Sequence, residues 1–432
     1  MNKILKYKGI TIIYCKHHRN NSSDVTFGIQ TGSYTEHKSG LAHLMEHCFG
    51  HGTTTKSRAE CEEFKIKHIP SFNAATGYNY VQMRFYESSR DLEKILQFSA
   101  DVFFNFKTTP EDFEKEKKVI VNEIRRREQN NSHTLSITSQ NQIYESKLSF
   151  DEVLGTEKSL KSIKIKDMER FKKENFCREN FLFSIVTNKS LCFIKKLIDK
   201  YFLPNLKSIP DFVKKQYVRT AINKKDSLKT IKKQDTRLCT IKITKEGLPY
   251  KKELVPRTDM VFKAIERPLG RVYDLFRNKH GLTYETPYFT WPSYDACGTV
   301  CFTLRVPAKD IKFAITLASE LFTDLHKNGI TKDEYDTIEI LRKRAKDVSV
   351  KPAIRDSSTN NFDGYVVRGS LFPIREYRKY RKKETYNSIN DYAKLLFAPN
   401  RLFVTILGNF EKKDVCSLSK MKKLFNIPSE NK

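Results

Sequence analysis

The sequence predicts an α+β chain made of two copies of one unit, and three observations carry that. The 432 residues exceed one ordinary core and suit two domains of about 200 each. Short segments with two-residue alternation are interspersed with longer amphipathic helical segments, the pattern of mixed sheets covered by helices. The second half also echoes the first. Thr331-Lys332-Asp333-Glu334-Tyr335 follows Thr109-Pro110-Glu111-Asp112-Phe113 at an offset of 222, and Asn400-Arg401-Leu402-Phe403 follows Asn180-Phe181-Leu182-Phe183 at 220. The expected organisation is a first domain over 1–206, a basic linker over 207–235 and a second, homologous domain over 236–432.

The elements follow in order. Met1 to Cys15 alternates like a strand. Residues 9–15 and 24–31 read as a hairpin with Asn20-Asn21-Ser22-Ser23 as its turn. A helix starts near Gly40, and a second runs from Ser57, its cap, to His68, with Glu60 three residues after the cap. Ser71 to Thr76 and Tyr80 to Phe85 read as paired strands. Leu92 to Phe106 is an amphipathic helix. Thr109-Pro110-Glu111-Asp112 opens another helix, with Thr as N-cap and Pro at the first helical position, and it runs to about Arg127. Phe181 to Val186 is a buried strand. The stretch 207–235 is rich in Lys and Arg without clear apolar period, as a linker would be. In the second half, Gly281 caps a helix before a strand, and Ile311 to His326 is a helix.

The chemistry sits in Gly40-Leu41-Ala42-His43-Leu44-Met45-Glu46-His47. On a helix, residues three and four apart share a face, so His43, Glu46 and His47 project together. Two neutral imidazoles one turn apart are a pair of zinc ligands, and a carboxylate beside them can take a proton from a metal-bound water. The order H-x-x-E-H is the inverted zinc-peptidase arrangement. The bland alternative is a helix with two satisfied histidines. Glu116 and Glu123, seven apart on the helix that follows Pro110, also share one face.

These segments resemble the inverzincin peptidases, the pitrilysin, insulysin and mitochondrial processing peptidase group. That family takes its third zinc ligand from a Glu about 75 residues after the second His, in a V-x-x-E-I-like setting. The resemblance makes Glu123, in Ile120-Val121-Asn122-Glu123-Ile124, the third ligand and Glu116 the carboxylate that orients the His43 or His47 ring. Gly32-Ser33-Tyr34-Thr35-Glu36 is similar to the family's lead into the zinc helix, and Leu154 to Leu160 to its G-T-E-x-S loop. His51 stands where the family has Lys and is expected to be a neighbour of the site, not a ligand. Phe72, Asn73, Ala74 and Ala75 match the family's edge strand, which implies main-chain binding of an extended substrate. Gly270 to Tyr284 resembles the stretch whose Arg and Tyr reach the active site, here Arg277 and Tyr284. The resemblance further implies that two adjacent antiparallel-rich domains form half a clamshell. Chains of this length in the family pair, as homodimers or with a related subunit.

Composition narrows the partners. A net charge of +28 attracts polyanions, and acidic peptides are the expected substrates. The basic residues are densest over Lys214 to Lys233 and Arg375 to Lys383, yet no nucleic-acid-binding signature accompanies them, so nucleic acid is not an expected partner. No apolar run reaches the roughly 20 residues of a membrane helix, so no membrane partner is expected. Nine cysteines without a C-x-x-C pair fit reduced thiols and a cytoplasmic protein. The expected function is a Zn2+-dependent endopeptidase acting on unfolded peptides or precursor leader segments. The rivals are a zinc subunit that needs a different partner, a non-catalytic peptide-binding homologue, and a basic nucleic-acid protein with an incidental motif.

Overall fold

The computed structural model describes residues 2–17, 21–145, 153–214, 221–348 and 357–428. In the first half, β1 (Asn2–Tyr7), β2 (Ile10–Lys16) and β3 (Ser22–Ile29) precede α1 (Leu41–Cys48) and α2 (Arg58–His68). Next come β4 (Asn73–Thr76), β5 (Val81–Ser88), α3 (Leu92–Asn105), α4 (Pro110–Gln129), α5 (Asn131–Ile143) and β6 (Phe181–Thr187). The second half contributes β7 (Ser227–Lys232), β8 (Cys239–Gly247), β9 (Tyr288–Thr290), β10 (Gly298–Val306) and β11 (Leu402–Gly408).

The chain divides into two compact units, neither contiguous in sequence. One gathers residues 1–127, 151–217 and 352–374; the other gathers 128–150, 218–351 and 375–432. The first unit holds a six-stranded sheet ordered β1-β2-β6-β3-β5-β4 and the second a five-stranded sheet ordered β7-β11-β8-β10-β9. The two sheets repeat one plan. In each, a parallel pair (β2 with β6, β7 with β11) is followed by three antiparallel steps. This is the α+β duplication expected from the offsets, and β7 is the counterpart of β2.

Two expectations change. Residues 9–15 and 24–31 are not a hairpin, because β6 lies between β2 and β3. Period-two alternation identifies strands but not their neighbours. The actual hairpin is β1 with β2, turned at Lys8 and Gly9, whose φ values of 49° and 90° suit a two-residue turn with both central residues left-handed. The stretch 207–235 is not linker throughout, since Ser227–Lys232 pairs along its length with β11. Its half-buried Leu228 and Ile231 are three residues apart and its Lys229, Thr230 and Lys232 are exposed, so no two-residue apolar period marks the strand. The part of the basic stretch over 215–220 and the turn residue Asn20 lie outside the described residues.

Each unit has its own core. In the first, Phe27 of β3 stacks on Phe183 of β6 with ring centroids 6.0 Å apart and meets Phe103 of α3 edge-on at 5.5 Å. The opposite face of that sheet is covered by the helix Ser358–Arg368, whose Phe362 and Val366 cluster with Ile13 and Leu182. The second sheet receives α5 in the equivalent way. Gln142 donates to Ser227 O at 2.7 Å and accepts from the Thr405 hydroxyl at 2.8 Å. All nine cysteines are free, and among the described residues no helix is long and apolar enough to cross a membrane.

Candidate metal centre

The site begins with how α1 is held. Gly40 precedes the helix at φ 89°, and a side chain there would come within 2.6 Å of Leu154 O. Glu36 caps the helix start. Its carboxylate accepts from Gly40 N at 2.6 Å and Ala42 N at 2.7 Å, placing negative charge on the helix's positive end. Leu41, Leu44 and Met45 are buried in the core, so the face carrying His43, Glu46 and His47 is fixed in rotation. On α4, Phe113 and Ile120 are buried, and Thr109 caps the helix by accepting from Asp112 N at 3.1 Å.

These two helices bring the expected ligands together. The donor atoms of His43, His47 and Glu123 lie within 4.8 Å of one another. Both His43 Nε2 and His47 Nε2 stand 3.8 Å from Glu123 Oε2. Two donors on one tetrahedral zinc ion sit roughly 3.4 Å apart, so the cluster needs only slight closing. His43 is 7% exposed, and its Nδ1 has no hydrogen-bond partner among the described residues. Burial, then the neighbouring His47 and then Arg127, push its pKa down to about 3, which keeps the ring neutral as a ligand must be. Two imidazoles and a carboxylate are the donor set of a zinc site with an open position.

A second ring of residues fixes the first. His47 Nδ1 donates to Glu116 Oε2 at 3.1 Å, which leaves the Nε2 lone pair for a metal. The other Glu116 oxygen accepts from His51 Nε2 at 3.0 Å, and His51 Nδ1 accepts from the Thr108 hydroxyl at 2.8 Å. Burial pushes the Glu116 carboxyl up, but the hydrogen bonds from His51 and His47 outweigh it, and the pKa lies below the usual carboxylate range. Arg127 Nη2 holds Glu123 Oε1 at 3.1 Å. Burial raises the Glu46 pKa, partly countered by the Thr76 hydroxyl, which donates to its Oε2 at 2.6 Å.

From the sequence, His51 is expected only as a neighbour, and Thr76 and Arg127 carry no motif that marks them for the site. His51 repeats the four-residue spacing of His43 and His47. Thr76 sits in register with buried Val81, which turns it toward α1. Arg127 is one turn beyond Glu123. The edge-strand residues are brought close: β4 is the sheet's edge and Ala74 packs against the core. The strand is Asn73–Thr76, however, not Phe72 to Ala75. Phe72 belongs to the preceding turn, its N–H donating to Ile69 O at 2.8 Å and its ring lying under Lys65 Nζ at 4.9 Å. Cys48 is a buried packing residue, its thiol pushed up to about 12, by burial above all.

Arg277 and Tyr284 lie in the second unit. The Arg277 guanidinium stacks between two rings, 5.0 Å from Tyr273 and 4.6 Å from Tyr284, and Tyr284 is 83% exposed. The strand expected right after Gly281 is absent; the next is the short β9 at Tyr288–Thr290. The cluster of His43, His47 and Glu123 has no second copy among the described residues. Ile338 is buried at the counterpart of Glu116, and the side chain of Ala345, the counterpart of Glu123, lies outside the described residues.

Residues 11–156 match the insulinase family, peptidase family M16. The chain is 22% identical over 319 residues to the Bacillus subtilis (strain 168) protein named uncharacterized zinc protease YmxG, covering 72% of this chain and 76% of that one. It is 22% identical over 382 residues to an uncharacterized zinc protease of Rickettsia felis, 87% of this chain and 83% of the relative. Among solved structures, a protease from Helicobacter pylori superposes with a TM-score of 0.77 at 18% identity, over 94% of this chain and 99% of that one. The first half of the periplasmic protease PqqL from Escherichia coli gives 0.78 at 15%, over 98% and 96%. A peptidase M16 inactive domain from Pseudomonas fluorescens gives 0.74 at 14%, over 95% and 98%. The likeness to these structures speaks for the fold. With the sequence match, it shows that the chain carries an insulinase-family (peptidase family M16) domain, on a fold shared with M16 peptidases over nearly its whole length.

Proposed function

We propose that the chain is a zinc-dependent endopeptidase that hydrolyses unfolded peptides or precursor leader segments. The observation that supports this most is the convergence of His43, His47 and Glu123 beside a carboxylate, Glu46, that is buried and held by Thr76. Zinc, when bound by those three side chains, supplies a Lewis acid that acidifies water and polarises a carbonyl.

The chain's own groups do the rest. Glu46 takes the proton of the attacking water on its carboxylate and returns it to the leaving amine nitrogen. The Thr76 bond fixes one carboxylate oxygen and so the direction of the other. Burial raises the basicity of Glu46 toward its task. Glu116 holds the His47 ring and its tautomer. The outer edge of β4 offers main-chain N–H and C=O groups to an extended peptide. Arg277 and Tyr284 bind substrate and donate to the developing oxyanion, from the second unit of a partner copy, or of a related chain. A reduced compartment such as the cytoplasm suits nine free cysteines.

The inactive Pseudomonas domain shows that the fold also exists without the activity, which favours peptide binding alone as the second reading. Zinc analysis with peptide turnover separates them. One zinc per chain and hydrolysis abolished by a chelator and restored by zinc supports the peptidase; no zinc and no cleavage, with peptide still bound, supports the binder.

A further inference from the structure

The face of the first sheet that points away from α1 carries a guanidinium that makes no hydrogen bond or ion pair among the described residues. Along β4, Thr76 and Ala74 face the zinc helix, and their register partners Val81 and Met83 are buried in the main core. Asn73 and Ala75 therefore face the other surface, paired with Arg84 and Gln82 of β5. Among the described residues, the charged side chains on that face include Asp24, Asp363 and Arg84. Asp24 is engaged by the helix Ser358–Arg368: Ser358 N donates to its Oδ2 at 2.8 Å and the Ser358 hydroxyl to its Oδ1. Asp363 is pushed up to about 6, by burial above all, with Arg84 and Gln82 pulling the other way, and its Oδ1 has no hydrogen-bond partner among the described residues. The half-buried Arg84 side chain makes no hydrogen bond or ion pair among the described residues.

A guanidinium offers five N–H donors and is always charged. Here it stands behind the edge strand, in register with exposed Asn73, whose side chain is short. Strands lie about 4.8 Å apart, so a peptide added to β4 runs about 10 Å from β5, a span that Arg and Glu side chains bridge together. The side chains of the added strand alternate between the two faces, and only one parity meets Arg84.

We propose that Arg84 is a specificity residue that selects an Asp or Glu in a peptide bound along β4, on the sheet face opposite the zinc helix, about three residues from the one beside Thr76. The inference rests on the reading of the chain as a peptidase whose substrate extends β4. It assigns to one residue a preference that net charge alone would spread over the whole peptide.

The experiment is a positional scan with the zinc-loaded full chain. A cleavable peptide carries a single Glu at each of the five positions on either side of the bond, with a Gln peptide as reference. Glu should raise kcat/KM about fivefold at one position, or at positions of one parity, and leave the intervening ones near the reference, the worth of a part-exposed ion pair. Arg84→Gln should lose that gain, through KM, while cleaving the Gln peptide within about twofold of wild type. Arg84→Glu should favour Lys at the same position. A flat scan, a gain that ignores parity, or an Arg84→Gln defect equal on both peptides would overturn the inference while leaving the peptidase reading intact. Absence of any cleavage by the zinc-loaded wild type overturns the peptidase reading and this inference with it. The wild-type scan alone decides parity if neither variant folds.

Discussion

At the scale of single residues the site turns on two carboxylates with opposed environments. Glu46 is buried with one hydroxyl donor and its pKa rises; Glu116 has imidazole donors on both oxygens and its pKa falls. The first suits a proton carrier, the second a fixed anion that orients a ring. Glu46→Gln should therefore keep zinc, measured by metal analysis, and lower peptide turnover at least about 100-fold. Zinc loss in that variant would reassign Glu46 as a ligand. His43→Ala, His47→Ala or Glu123→Ala should lose metal and activity together. His51 acts on His47 only through Glu116. His51→Ala should weaken zinc about tenfold in a chelator competition while the fully loaded enzyme keeps its kcat, and His51→Lys, which still donates to Glu116, should restore the affinity. Unchanged zinc affinity in His51→Ala would reduce His51 to a packing residue.

At the scale of elements, α1 is placed by its ends. Gly40→Ala should destabilise the fold by about 1–3 kcal/mol in urea unfolding, because it combines a left-handed backbone with the close approach of Leu154 O. A loss under a few tenths would mean that the Leu154 loop moves aside freely. In the second sheet, Lys245 of β8 is 2% exposed and donates to Ala398 O at 2.7 Å and Phe397 O at 3.2 Å, beyond the end of the helix Tyr386–Leu396. Burial lowers its pKa from 10.5 to about 7. Between those values the unfolded chain binds the proton and the folded chain does not, so this group's contribution to stability rises with pH through that window and is lost as pH falls toward 7. Lys245→Met should flatten that part of the pH dependence in denaturant unfolding; an unchanged slope would show that Lys245 keeps its proton. Helices with written starts were legible: Ser57 and Thr109 cap α2 and α4 as their spacing implies. The order of strands was not, because β6 enters between β2 and β3 from more than 150 residues away, and nothing local records a parallel neighbour. The candidate ligands were legible because helical geometry ties His43 to His47 and Glu116 to Glu123, whereas Thr76 and Arg84 take their places from cross-strand register.

At the scale of the whole molecule, the candidate ligands His43, His47 and Glu123 belong to one compact unit and Arg277 with Tyr284 to the other. Tyr284 is 83% exposed and its ring is already stacked on Arg277, an aromatic and cation pair presented outward and fit to meet a ligand. If one chain completed its own site, every catalytic variant would be dead in any mixture. If two chains complete each other's sites, defects in different units complement. We predict the second, a homodimer in which the zinc ligands of one copy work with Arg277 and Tyr284 of the other. A Glu46→Gln chain and an Arg277→Ala/Tyr284→Phe chain should each be inactive alone. After subunit exchange, one site of each mixed dimer would combine an intact Glu46 with an intact Arg277 and Tyr284, and activity should return to about half of wild type per mixed dimer if the sites are independent. Zinc content must stay at one per chain in both variants, since neither substitution touches a ligand. Exchanged subunits that stay inactive, or a monomer by light scattering that cleaves peptides at the full rate, would place both halves of the site within one chain.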